Sequence, residues 1–226
     1  MKALITGGRG YIGRNLEHLL KALNIPTVVF DMDEGRDILD DRALSLPMRK
    51  VDVCFHLAAF GNISECEKAP AKATETNVWG TFKVASIAHM YGVKVIFASS
   101  FAVTHPENRF TVYGLSKALG EKLVLYYGGT VCRISNVYGG MDFTDLKDSV
   151  IARLMTGRYE DRGHGSETRD FIHVEDVCKK LVRACEVGHG PIDICSGRLT
   201  RIDELVEMSK DPSFPNNLRA LDPFAY

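Results

Sequence analysis

The chain has 226 residues, enough for one domain with a full core or one domain plus a small appendage. Hydrophobic residues make up 45% and charged residues 25%, and the formal net charge is -1; this is ordinary for a soluble globular protein and lacks the basic excess of a nucleic-acid binder. No apolar run is long enough to cross a bilayer, and the start, Met1–Thr6 followed by glycines, lacks the apolar core and cleavage site of a signal peptide. The expectation is a cytoplasmic protein with neither a nucleic-acid nor a membrane partner.

Apolar runs alternate with helical patterns, which predicts a doubly wound parallel α/β sheet. Lys2–Thr6 reads as the first strand. A helix follows over about 11–23, with Ile12, Leu16, Leu19, Leu20 and Leu23 on one face. Thr27–Phe30, Val51–Leu57, Val93–Ala98 and Thr130–Ile134 read as further strands. Long helical patterns cover 71–91 and 113–127. From about Asn136 the pattern is less regular: a charged, Gly-rich loop (159–167), the segment Thr168–His173, a helix near 174–186, a short strand at Pro191–Cys195 and a short helix at Arg201–Ser209. The last sixteen residues, 211–226, show little periodicity. The domain reading is a dinucleotide-binding core over 1–135 and a mixed segment over 136–226. That segment partly returns to the core and partly forms a reduced substrate-binding part.

The six cysteines (54, 66, 132, 178, 185 and 195) form no CxxC pair and no zinc spacing, so free structural thiols and no metal site are expected.

The first strand runs into Thr6-Gly7-Gly8-Arg9-Gly10-Tyr11-Ile12-Gly13. In this setting Gly7 permits the tight strand-to-helix turn. Gly10 lets a pyrophosphate approach the backbone, and Gly13 lets the helix pack closely on the sheet. The helix N-terminus then offers free N–H groups and a positive dipole end to phosphates. Asp31, at the end of the second strand, can accept hydrogen bonds from an adenosine ribose and disfavours a 2′-phosphate, which favours NAD. Arg9 and Arg36 lie close enough in sequence to keep NADP open.

Tyr113-Gly114-Leu115-Ser116-Lys117 sets a phenol and an ammonium four residues apart, on one face of a helix. A neighbouring cation lowers a phenol's pKa, and the phenolate can take a hydroxyl proton while hydride leaves the same carbon. Upstream, a strand ends in Ser99-Ser100, where a hydroxyl could hydrogen-bond the reacting oxygen. His56 and His173 read as structural residues, His164 as an exposed loop residue, and Glu65, Glu67 and Lys68 as a solvated helix lead-in. Trp79 reads as core or interface. Phe143 and the segment 142–148 are weaker candidates for the wall of a substrate cavity.

With these residues in place, the chain resembles the extended short-chain dehydrogenase/reductases, in the NAD-dependent sugar-nucleotide epimerase/dehydratase branch (UDP-glucose 4-epimerase-like). The matching pieces are the glycine loop, His56-Leu57-Ala58-Ala59, Asn77-Val78-Trp79-Gly80-Thr81, Ser99-Ser100 and Tyr113–Lys117. They continue with Arg133-Ile134-Ser135-Asn136-Val137-Tyr138-Gly139 and Arg169-Asp170-Phe171-Ile172-His173-Val174-Glu175-Asp176-Val177. The resemblance implies a Rossmann-type fold and a role for each position. Gly7, Gly10, Tyr11, Ile12 and Gly13 would hold the pyrophosphate side of NAD, and Asp31 the ribose. Asp37 and Ile38 would flank adenine, Leu57, Ala58 and Ala59 would pass under the cofactor, and Asn77 would order the site. Ser100 would be the catalytic serine, with Ser99 beside it at the cofactor. Tyr113 would be the base, with Lys117 its partner and a ligand of the nicotinamide ribose. Asn136 would contact substrate, and Arg169 would grip the sugar-nucleotide phosphates, to which a guanidinium is suited. Relatives commonly form homodimers through the helices corresponding to 71–91 and 113–127.

Three departures accompany the resemblance. The usual helix after the second strand is not expected between Asp31 and Asp37. The loop 101–112 between Ser100 and Tyr113 is short. The chain stops soon after Arg201–Leu205, so an abbreviated substrate lid is expected. The family's 4,6-dehydratases carry an Asp-Glu pair directly after the catalytic Ser/Thr; here Phe101 and Ala102 stand there and cannot do acid/base work. The leading expectation is an epimerase that acts at C4 of a nucleotide-diphosphate sugar through a transient 4-keto intermediate. The alternatives are an NAD(P)-dependent keto-sugar reductase or dehydrogenase, and a non-catalytic dinucleotide sensor or scaffold.

Overall fold

Short, β-branched strands flanked by glycine turns and amphipathic helices organise the chain. The computed structural model describes residues 1–141, 149–160 and 166–220. The main sheet contains β1 (Ala3–Thr6), β2 (Thr27–Phe30), β3 (Val53–His56), β4 (Lys94–Ser100), β5 (Thr130–Ile134) and β8 (Gly190–Ile194), in the order β2-β1-β3-β4-β5-β8. All its pairings are parallel. The strand order reverses between β1 and β3, so the loops leaving these two strands diverge to opposite faces. Such a switch point opens a crevice at the carboxyl ends of the strands.

Side chains alternate along each strand, and each face meets its own layer of helices. On one face, Ile5, Phe55, Ile96 and Cys132 pack with Leu16 and Leu20 of α1 (Tyr11–Ala22) and with Val177 and Leu181 of α8 (Val174–Arg183). On the other, Leu4, Cys54, Phe97 and Val131 pack with Leu44 and Met48 of α2 (Asp41–Met48), Val84 and Ala88 of α5 (Thr81–Met90), and Val124 of α6 (Val112–Tyr126). All six cysteines are free, four of them buried.

Between β2 and Asp37 there is no α-helix, only a 3-10 turn at Met32–Glu34 capped by the Asp31 carboxylate. The short α2 follows. It was not assigned from sequence, since it turns only twice and contains Pro47. The long helical pattern over 71–91 divides into α4 (Pro70–Thr74), a π-helical segment (Glu75–Gly80) and α5, preceded by α3 (Ile63–Lys68).

A second, three-stranded sheet lies at the carboxyl end of the first. It contains β6 (Asn136–Tyr138), β7 (Thr168–His173) and β9 (Leu199–Arg201), with β7 central, parallel to β6 and antiparallel to β9. Tyr138 and Phe171 from this sheet pack with Ile151 of α7 (Val150–Met155), Leu205 of α9 (Ile202–Met208) and Leu218 of α10 (Asn216–Ala220). The tail, read as aperiodic, thus contributes one short helix. Segment 142–148 with Phe143, and His164, lie outside the described residues. Among the described residues, no helix is long and apolar enough to cross a membrane.

Candidate active site

Gly7 takes φ +71°, in the left-handed region where an L side chain is strained. A Cβ there would lie 2.6 Å from the Ala58 nitrogen. A Cβ on Gly13 would lie 2.4 Å from the Gly7 carbonyl oxygen. These two positions let the β1–α1 turn, the start of α1 and the loop after β3 approach one another. The result is a cleft of about 510 Å³ bordered by Gly7, Gly10, Asp31, Asp37, Ile38 and Leu57–Ala59. A backbone cradle that any Cβ would fill, ending at a helix N-terminus, fits the pyrophosphate of a dinucleotide.

At the adenosine end, the Asp31 carboxylate accepts from the Arg9 backbone N–H at 2.8 Å and from Asp33 N–H at 3.0 Å. The two arginines that kept a 2′-phosphate open are both committed elsewhere. Arg9 pairs with Glu17 at 2.8 Å and donates to Glu34 at 2.7 Å. Arg36 pairs with Glu34 at 3.3 Å and donates to the Val29 carbonyl. The Asp37 carboxylate accepts from Leu39 N–H at 2.9 Å, and Ile38 is buried.

A buried chain of hydrogen bonds fixes the floor. Thr81 Oγ1 donates to the Asn77 carbonyl at 2.6 Å, so His56 Nε2 donates to Thr81 and Nδ1 accepts from Thr6 Oγ1 at 2.7 Å. Burial pushes the His56 imidazole down to about 3, so it is neutral, consistent with a structural residue. Asn77, on the π-helical segment, accepts from Phe60 N–H at 2.7 Å and donates to Ser116 Oγ at 3.2 Å. Its amide is therefore turned to protein partners and holds the loop after β3 rather than presenting itself to a ligand.

Alternation along β4 separates the two serines. Ser99 is buried, and its hydroxyl donates to Glu121 Oε1 at 2.6 Å. Ser100 points the other way, and its Oγ accepts from Ala102 N–H at 3.2 Å. Glu121 also receives Arg133, Nε at 2.9 Å and Nη2 at 2.7 Å, which ties α6 to β4 and β5. Neither Glu121 nor this use of Arg133 was picked out from sequence. The available signal was a glutamate one helical turn after Lys117 on the helix's buried face.

Thr111 caps α6, accepting from Gly114 N–H at 3.1 Å, and the first turn carries Tyr113. Lys117 is buried, donates to the Ala98 carbonyl at 2.9 Å, and stands 5.9 Å from the centre of the Tyr113 ring. Burial pushes its ammonium down to about 8. The phenol of Tyr113 is held above its ordinary range by burial, with a hydrogen bond from Ser100 acting in the opposite direction. The lowering expected from Lys117 is not seen: burial sets the direction of the shift.

Ser100 and Tyr113 border two further clefts at once. One, of about 350 Å³, continues the dinucleotide cleft past Gly10, Tyr11, Ile12 and Gly13 to Lys117. Tyr11 Oη closes its side by donating to the Gly139 carbonyl at 2.6 Å. The other, of about 290 Å³, leads away between the short loop 101–112 and the start of β7, past His105, Asn136, Glu167 and Arg169. Asn136 donates to the Asp170 carbonyl at 3.0 Å. His105 was not singled out from sequence, yet its Nδ1 is buried with no hydrogen-bond partner among the described residues. His173 accepts from Glu175 N–H and packs edge-on against Tyr138, a capping and packing role.

The profile of the NAD dependent epimerase/dehydratase family matches residues 3–194. The chain belongs to this family. It is 28% identical to a putative UDP-glucose 4-epimerase of Methanocaldococcus jannaschii over 92% of this chain and 81% of that one. It is 27% identical to a GDP-6-deoxy-D-mannose reductase of Pseudomonas aeruginosa, covering 93% and 79%. A UDP-glucose 4-epimerase from Thermotoga maritima, solved with UDP-glucose, superposes with a TM-score of 0.83 at 25% identity, over 93% of this chain and 82% of that one. The protein is accordingly an enzyme with a Rossmann-type fold, and NAD is its cofactor.

Proposed function

We propose that the enzyme interconverts a nucleotide-diphosphate sugar and its C4 epimer. The observation that carries this reading is the position of Ser100 and Tyr113 at the junction of the dinucleotide cleft and the cleft that leads to Asn136 and Arg169. A sugar hydroxyl at that junction can meet a phenol and a serine hydroxyl while its carbon faces the cofactor side.

NAD, when bound, supplies the hydride acceptor and a cationic ring whose charge favours the phenolate. Gly7, Gly10, Tyr11, Ile12 and Gly13 would hold its phosphates, Asp31 the adenosine ribose, Asp37 and Ile38 the adenine, and Lys117 the second ribose. Leu57, Ala58 and Ala59 would form the floor under it, with Ser99 at the border of the same cleft and Asn77 ordering the loop behind it. Tyr113 then takes the proton of the C4 hydroxyl, and Ser100 donates a hydrogen bond to the same oxygen. Lys117, still an ammonium at neutral pH, favours the phenolate electrostatically. Once the 4-keto sugar has presented its other face, Tyr113 returns the proton. Arg169 would hold the nucleotide phosphates and Asn136 a sugar hydroxyl.

Phe101 and Ala102 follow Ser100 in a 3-10 turn (Phe101–Val103), so no acid/base pair stands there to eliminate water. A keto-sugar reductase is the second reading. It uses the same Ser100–Tyr113–Lys117 set, and the likeness to the mannose-derivative reductase favours it. Incubation with NAD and a panel of nucleotide sugars separates the two: a product isomer of unchanged mass supports epimerisation, and a change of two hydrogens supports the reductase. No product from the panel, with NAD bound, contradicts both for those sugars.

The protein would act as a homodimer. Trp79, beside the start of α5, and Leu115, Leu119 and Tyr126 on α6 are all exposed large hydrophobic side chains. Such an apolar helical surface suits a partner helix pair.

A further inference from the structure

The cleft that leaves Ser100 and Tyr113 carries one arginine or lysine among its described lining residues, Arg169, and that guanidinium is already engaged. Its Nε donates to Glu167 Oε1 at 2.9 Å and its Nη2 to Glu167 Oε2 at 3.0 Å. Two parallel donors on two oxygens is also the way a guanidinium takes a phosphate. The two residues stand two apart where β7 begins, and both border the same cleft. The Glu167 carbonyl accepts from Ile202 N–H at 2.9 Å, so the carboxylate is presented from an anchored backbone. The other acid at this wall, Asp170, is buried and already receives Ser135, Ser196 and Gly197, so it does not compete for Arg169. The free cleft therefore offers a neutral pair, not a net cation, to an incoming anion.

We infer that Glu167 is an internal competitor for Arg169. It holds the guanidinium until a phosphate of the substrate's nucleoside diphosphate displaces it, and so weakens binding of that moiety and speeds its release. This rests on the reading of Arg169 as the phosphate ligand. The displaced carboxylate remains near the phosphates, so its charge opposes binding a second time. The penalty falls on any nucleoside diphosphate, so a substrate must offset it through its sugar.

The test is titration calorimetry of the NAD-loaded protein with UDP, GDP and dTDP, carried on with whichever binds most tightly. Glu167→Gln keeps the shape and the backbone bond but loses the charge. It is expected to tighten binding about three- to tenfold, the range of a partly exposed ion pair plus a removed like charge. Arg169→Ala is expected to weaken binding at least about tenfold. In the Arg169→Ala background, Glu167→Gln is expected to tighten binding by less, through the removed like charge alone. If Arg169→Ala weakens binding but Glu167→Gln alone does not tighten it, the competitor role is overturned and the phosphate reading stands. If Glu167→Gln tightens binding equally without Arg169, the effect is plain repulsion, and competition for the guanidinium is overturned. If Arg169→Ala affects none of the three nucleotides, the phosphate reading fails and the inference fails with it.

Discussion

The hydroxyl of Ser99 donates to the Glu121 carboxylate at 2.6 Å, one residue before the serine that faces the cleft. With Arg133 on the same carboxylate, this contact joins the end of β4 to the helix that carries Tyr113 and Lys117. Ser100 and Tyr113 lie on different elements, and the Glu121 cluster sets their separation. Glu121→Ala leaves the partly exposed Arg133 without its partner and Ser99 without its acceptor, and is expected to cost about 1–3 kcal/mol. Urea unfolding measures this. A loss below about 1 kcal/mol would mean the cluster is not what joins these elements.

Lys117 gives the protein a pH signature. Its folded pKa is depressed from 10.5 to about 8, chiefly by burial. Between those values the folded protein has released the proton and the unfolded chain still holds it. Unfolding then takes up a proton, so this group's contribution to native stability rises with pH across that window and is flat below pH 8. Turnover should move the other way and fall above about pH 8 as the ammonium beside Tyr113 is lost. Lys117→Met is expected to remove both dependences; an alkaline limb that persists in this variant would assign it to another group.

Asp31 is expected to set the cofactor preference, because Arg9 and Arg36 are held by Glu17 and Glu34. Asp31→Asn should weaken NAD binding by about 1.5–3 kcal/mol, the range for a hydrogen bond to a charged group, and should narrow the gap to NADP. Fluorescence titration with both dinucleotides checks it. Unchanged NAD affinity would contradict the ribose assignment.

Much of this was legible in the sequence. Thr27–Phe30 and Thr130–Ile134 read as strands at their observed bounds, because short β-branched runs between turn residues have no good alternative. The glycine loop, Ser100 and the Tyr113–Lys117 pair could be found because each is local, and a fixed spacing carries its chemistry. The pairing of Glu121 with Arg133 was not legible, since it joins residues twelve apart across a helix and a strand. The roles of Ser99 and Ser100 also depended on strand register, which sends neighbours to opposite faces. The hold of Glu167 on Arg169 could not be read either, because a carboxylate two residues before an arginine is as readily solvated as paired. The short α2 escaped for another reason: Leu44 and Met48 are its only fully inward residues, too few to show a helical period.

The exposed apolar side chains near the start of α5 and on α6 lead to a test of assembly. Leu119→Glu combined with Trp79→Asp is expected to convert a dimer to a monomer in light scattering. Native-like circular dichroism should be kept, since both side chains are about half exposed. A dimer that survives the pair, or a monomeric parent protein, would contradict the proposed interface.

In the proposed reaction, Tyr113 opens and closes a keto group at C4 without the carbon-bound hydrogen leaving the site. The most direct measurement uses a nucleotide sugar that the enzyme turns over, labelled with deuterium at C4, with products read by mass spectrometry and NMR. The expected product is an epimer that keeps the deuterium at C4, and the Tyr113→Phe protein is expected to bind NAD but turn over about 10²–10⁴ times more slowly. An epimer whose label has exchanged with solvent, or full turnover by Tyr113→Phe, would contradict it.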